Sequence, residues 1–162
     1  LNLGLHFLSS AITYDPLVSE VDALTASKVV LLDSLISNID RTAKNTNLLI
    51  WNHVLWVIDN GASLYFHHNW PTWENHLTRT FPLIKDHVLL SKATALSKAS
   101  EEIKCVIHTN VINEIVSNIP EDWLLSEGDI LSTDEMRSAY IAFLKAKLSM
   151  IDVLVKEAED AR

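Results

Sequence analysis

A mainly helical chain with one small β-hairpin, an α+β domain, is the fold class this sequence predicts. Apolar residues recur at three- and four-residue spacing in several segments, as one face of a helix requires. Two short apolar runs, residues 48–51 and 54–58, are rich in β-branched and aromatic side chains and are separated only by Asn52-His53, a hairpin pattern. No internal repeat, low-complexity tract or linker divides the 162 residues, so residues 1–162 read as a single domain.

The elements follow in order. Residues 1–12 alternate loosely and read as an extended segment or short strand. Tyr14-Asp15-Pro16 marks a turn, because proline biases its predecessor away from helix. Asp22 or Thr25 can cap a helix over 26–38, with Val29, Leu32, Leu35, Ile36 and Ile39 on its apolar face and Asp33, Ser34 and Ser37 opposite. Residues 40–47 lack a period and read as a loop, which leads into the hairpin. An aromatic, irregular stretch follows Gly61. Pro71 can start a short helix to about Thr78, and Phe81-Pro82 breaks it. Short helical pieces are expected over 84–91, 92–98 and 100–107, the last opened by Ser100-Glu101-Glu102, with a further helix over 110–118. Ser132 or Thr133 opens one last long helix, whose stripe is Tyr140, Phe143, Leu144, Leu148 and Ile151, and residues 156–162 are expected to fray.

The composition sets limits on function. Apolar residues at 48% and charged residues at 21% match a folded globular chain and exclude disorder over most of the length. A net charge of −8 argues against a broad nucleic-acid surface, which needs clustered Lys and Arg. It leaves room for a local phosphate site, where bound Mg²⁺ reverses the local charge. Cys105 is the single cysteine, so no intrachain disulfide can form, and a reducing, cytoplasmic setting is expected. Its apolar helical context reads as a buried structural thiol. No apolar run reaches 18 residues, so no membrane span is expected. The chain opens at Leu1 inside an apolar stretch, which suggests part of a longer protein.

The chemistry concentrates in residues 39–61. Asp40 and Asn45 lie five apart on one loop, and Asp59 follows the hairpin and precedes Asn60-Gly61. The hairpin brings its outer ends together, so Asn45 and Asp59 should be near each other, with Asp40 within reach of both. Phosphoryl transfer needs a carboxylate near the acceptor hydroxyl and hard oxygen ligands for Mg²⁺ against the nucleotide phosphates. The order helix, Asp loop, Asn, hairpin, Asp-x-Gly fits that requirement far better than a lone Asp-x-x-x-x-Asn would. Turn and helix-end roles remain open for the same residues, and Asn47 can cap the hairpin. Arg41 and Lys44 can touch phosphate, pair with Asp40 or simply be solvated. His67-His68 invites a metal reading, but adjacent strand residues point to opposite faces, and no cysteine or third histidine stands at ligand spacing. The five tryptophans are expected in the core or at an interface with a further lobe.

The runs Asn38-Ile39-Asp40-Arg41-Thr42-Ala43-Lys44-Asn45-Thr46-Asn47-Leu48-Leu49 and Leu55-Trp56-Val57-Ile58-Asp59-Asn60-Gly61-Ala62-Ser63-Leu64-Tyr65-Phe66-His67-His68, with the later Asp86-His87-Val88-Leu89-Leu90 and Pro120-Glu121-Asp122-Trp123-Leu124, resemble the HipA-like kinases of bacteria. The resemblance runs from about Leu3 to the last helix. It implies a protein-kinase-like carboxy-terminal lobe and ATP-dependent phosphorylation of a protein serine or threonine. By that resemblance Asp40 is the catalytic carboxylate, while Asn45 and Asp59 bind Mg²⁺ and, through it, ATP. Asn38 stands where many kinases have His, and Asn60 replaces an apolar residue. No glycine-rich loop and no strand lysine precede Asp40, so the lobe that covers ATP is expected to be absent from this chain, leaving it inactive alone. The alternatives are an interaction module that keeps the fold without catalysis, and a small-molecule kinase.

Overall fold

The computed structural model describes residue 4, residues 6–124 and residues 131–162. The extended segment expected at 1–12 lies partly outside these; within them, strand β1 spans Ile12–Thr13. It pairs antiparallel with β2, Leu48–Trp51, which pairs antiparallel with β3, Val54–Val57, in the order β1-β2-β3. The hairpin register sets Leu48 opposite Val57 and Trp51 opposite Val54. Its two turn residues, Asn52 at φ 48° and His53 at φ 64°, are both left-handed. That is the type I′ turn whose twist matches the strands, and asparagine and histidine tolerate it better than most residues.

Helix α1, Ala23–Ile36, is the central element. Asp22 caps it by accepting from the Thr25 N–H at 2.9 Å. Ser37, left-handed at φ 53°, ends it. The expected two-faced pattern does not hold. Asp33 and Ser34 are buried, while Leu32, expected on the apolar face, is exposed. A helix packed on nearly every side must bury its polar positions too. It tolerates them because Ser27 and Ser34 donate back to the carbonyls of Ala23 and Val30, and Asp33 finds charged partners.

After the sheet come 3₁₀ turns at Tyr65–His68, Trp70–His76, Pro82–Asp86 and Leu90–Lys92. Four of the remaining helices are α2, Leu96–Val106; α3, Thr109–Ser117; α4, Glu121–Leu124; and α5, Thr133–Ser149. Helix α2 begins before Ser100, which is buried inside it rather than opening it. Ser132 and Glu135 make a reciprocal capping box at the start of α5, as expected. The last helix is not continuous: it breaks at Met150, and α6 spans Ile151–Ala161.

Two apolar clusters explain that break. One gathers α1, the inner face of the sheet, Ile84, Leu89 and Leu96 with Ile151, Leu154 and Ala158 of α6. The other gathers Phe66, Trp70 and Leu124 with Met136, Ala139 and Phe143 of α5. A straight helix could not serve both. The carboxy-terminal residues are correspondingly held rather than frayed. Ala158 is fully buried, Glu157 accepts from the Phe81 N–H at 2.6 Å, and Arg162 donates to the Ala93 carbonyl at 2.8 Å. Cys105 is exposed on α2, not buried as expected, because that face of the short helix looks outward with Lys104 and Val106. The tryptophans divide: Trp70 belongs to the second cluster, Trp51 and Trp56 meet edge to face on the hairpin at 5.6 Å, and Trp123 is exposed. No described helix is long and apolar enough to cross a membrane.

Candidate active site

The loop after α1 carries the expected residues, and its position is set from below by a buried charge. Asp33, fully buried on α1, meets Arg41 Nε at 2.5 Å and His87 Nε2 at 2.9 Å, and Asn38 Nδ2 at 3.1 Å. The Leu89 N–H donates to His87 Nδ1 at 3.0 Å, which assigns the ring proton to Nε2 and hence to the bond with Asp33. Burial pushes the Asp33 carboxyl upward. The His87 hydrogen bond and then the Arg41 bond and charge outweigh it, so the net shift is downward and Asp33 is ionised.

Arg41 spends its remaining donors on the two segments that bear the acids. Nη1 donates to the Asn47 carbonyl at 2.6 Å and the Ile58 carbonyl at 3.2 Å, and Nη2 donates to Asn60 Oδ1 at 2.6 Å. One planar guanidinium therefore ties the loop before β2 to the loop after β3. Arg41 is 1% exposed. It does not pair with Asp40 and cannot reach a phosphate in solvent, which removes two of the roles open to it from sequence. Its carbonyl accepts from the Val88 N–H at 3.0 Å, and Thr42 bridges His87, so the loop is pinned on both sides. Lys44 is exposed and joins no ion pair among the described residues.

Above this base stand the three expected residues. Asn45 Nδ2 donates to Asp40 Oδ2 at 2.6 Å. Asn47 Nδ2 donates to the same oxygen at 3.1 Å and lies 3.4 Å from the Asp59 carbonyl oxygen. Asn47 is thus the link: Asp40 touches Asn45 directly, whereas no hydrogen bond joins Asn45 to Asp59 among the described residues. Asn38 Oδ1 accepts from the Asp40 N–H at 3.2 Å, so the residue standing in place of histidine still fixes the Asp40 backbone. Asp40 is half-buried, and Asn45 and Asp59 are exposed.

Asp59 is left-handed at φ 47°, and Asn47 likewise. Asp and Asn adopt this conformation more readily than other side chains, which favours those residue types at both positions. Asp59 Oδ1 accepts from the Gly61 N–H at 3.2 Å. A Cβ at Gly61 would sit 3.2 Å from that same oxygen, so glycine is what leaves the carboxylate its place. Asn60, which stands in place of an apolar residue, secures this loop by accepting from Arg41.

The donor set is hard. Among the described residues no three His, Cys, Asp or Glu side chains converge on a possible metal. The oxygens on offer are the Asp59 carboxylate and Asn45 Oδ1, whose amide nitrogen is already occupied by Asp40. A groove of about 760 Å³ runs alongside, lined by Tyr14, Asp15, Lys44, Asn45, Asn47 and Ile58 among others; Asp40 and Asp59 border the site without lining this groove.

Sequence reasoning missed Asp33, His87 and the bridging role of Asn47. An acid set between Leu31-Leu32 and Leu35-Ile36 in a helix was the available signal, since a buried carboxylate requires a partner. A family model described as HipA-like kinase matches residues 6–152. No curated protein and no solved structure matches the chain.

Proposed function

The chain belongs to the HipA-like kinase family, and from that premise we propose that it supplies the acidic floor of a Mg²⁺-dependent ATP phosphotransferase, acting on a protein serine or threonine hydroxyl. The observation that carries the reading is the single hydrogen-bonded set of Asp40, Asn45 and Asn47, joined to Asp59 through Asn47.

The donor chemistry fits Mg²⁺, which takes one or two protein oxygens and completes its shell with water and phosphate oxygens. Asp59 and Asn45 would hold it. When bound, it offsets phosphate charge and orients the nucleotide. Asp40 keeps Oδ2 oriented by two amide donors and has Oδ1 for the acceptor hydroxyl. In the proposed step the bond from the γ-phosphorus to the β,γ-bridging oxygen breaks and a bond to the acceptor oxygen forms. The acceptor proton passes to Asp40. The exposure of Asn45 and Asp59 suits groups that must meet a ligand arriving from outside.

Nothing in the sequence supplies a glycine-rich phosphate loop; its glycines are Gly4, Gly61 and Gly128. The chain is therefore read as a carboxy-terminal lobe that is inactive by itself and needs a covering lobe. Calorimetric titration of the protein that carries both lobes with Mg·ATP, beside Asp59→Asn, tests the site. Binding by the wild type that the variant loses is expected, and absence of binding by the wild type would favour a kinase-fold interaction module. Measurable phosphorylation by residues 1–162 alone would refute the need for a covering lobe.

A further inference from the structure

We propose that His67 and His68 form a two-nitrogen chelate for a divalent transition-metal ion of the Zn²⁺ class, separate from the oxygen site around Asp59. The objection to such a pair is that neighbours on a strand diverge, but this segment is not a strand. It is the 3₁₀ turn Tyr65–His68, entered through Leu64 at φ 56°. The turn swings both rings to one side, and their Nε2 atoms come to 3.2 Å with ring centroids 4.3 Å apart, a hydrogen bond in which one nitrogen carries the proton and which an entering metal would replace by moving that proton off Nε2.

Two metal–nitrogen bonds of about 2.0–2.1 Å at a tetrahedral angle separate the nitrogens by about 3.3 Å, so the pair already has the bite of a chelate. Nitrogen donors select a borderline transition metal over Mg²⁺. The rings are also held in place. Tyr140 Oη lies 3.3 Å from His67 Nδ1; accepting from Nδ1–H, it leaves the lone pair on Nε2. His67 further packs at 6.3 Å from the Phe66 ring, and His68 meets Tyr65 edge to face at 5.2 Å.

The pair lines a cavity of about 280 Å³ together with Trp70, Trp123, Leu124, Met136 and Tyr140. No third His, Cys, Asp or Glu joins it among the described residues. Water completes the coordination, which makes this an open site rather than a closed structural one.

The test is a calorimetric titration of the chain with Zn²⁺, beside His67→Ala/His68→Ala, His68→Ala and Tyr140→Phe. One Zn²⁺ per chain is expected. Binding should be lost in the double variant, at least about tenfold weaker in His68→Ala, and about tenfold weaker in Tyr140→Phe, the usual scale for an outer partner. No saturable binding, or equal binding by the double variant, overturns the proposal. A readout without substitutions stands beside it. In imidazole ¹⁵N spectra of the wild type, Zn²⁺ should shift the His67 and His68 ring nitrogens first, and shifts confined to other histidines contradict the site.

Discussion

Asp40 and Arg41 are adjacent in sequence and opposite in circumstance. Arg41 is buried, with its donors spent on Asp33, two backbone carbonyls and Asn60. Asp40 is half-buried and held by two amide donors, on a surface it shares with exposed Asn45 and Asp59. Arg41 faces down into a charge network that fixes two loops, and Asp40 faces up toward the surface. The difference teaches how a small fold holds exposed acids in place. It does so through a buried cation one residue away, not through packing of the acids themselves.

The largest break in this comparison is on the buried side. Arg41→Met removes the permanent cation from the buried Asp33 and leaves it only the His87 and Asn38 hydrogen bonds, and denaturant unfolding should show a loss of about 3–5 kcal/mol. Acid breaks the same pair from the other side, by protonating Asp33 and leaving the Arg41 cation without its counter-charge. The Asp33 pKa lies below the ordinary aspartate value of 3.8, so its contribution is present above that pH and is lost as pH falls below it. In Asp33→Asn, unfolding midpoints followed from pH 5 downward should lack that component.

Asn47→Ala cuts the link between the two sides. It removes the side-chain bonds to Asp40 and toward Asp59 and places alanine at φ 47°, for an expected loss of about 1–2 kcal/mol. Asn45→Ala should cost under about 0.5 kcal/mol, because its side chain is exposed, yet under the proposed function it should weaken Mg·ATP binding. A large stability loss there would mean that Asn45 is structural and that the contrast is drawn in the wrong place.

Much of the upper side was legible in the sequence. The placement of Asp40, Asn45 and Asp59 on adjoining segments could be read because their order along the chain reflects a loop, a hairpin and a turn, all local features, whereas their roles are proposed. The Asn52-His53 turn, the Asp22 cap and the Ser132–Glu135 capping box were readable for the same reason. The lower side was not. Asp33 looked like a solvent-facing helix residue because helical period says which positions share a face, not how many faces are covered. His87 reaches Asp33 across 54 residues of sequence, beyond any local pattern. The break at Met150 and the packing of Glu157 and Arg162 likewise depend on a second cluster that the stripe of α5 alone does not reveal.

The exposed oxygens of Asp59 and Asn45 are proposed to form a divalent-metal site beside Asp40. Paramagnetic broadening of backbone amides by Mn²⁺ with ATP tests it on the chain itself, in wild type and in Asp59→Asn. Selective broadening of the amides of residues 40–47 and 58–61 that disappears in Asp59→Asn is the predicted result. Broadening that spares those segments, or that persists unchanged in the variant, would contradict it.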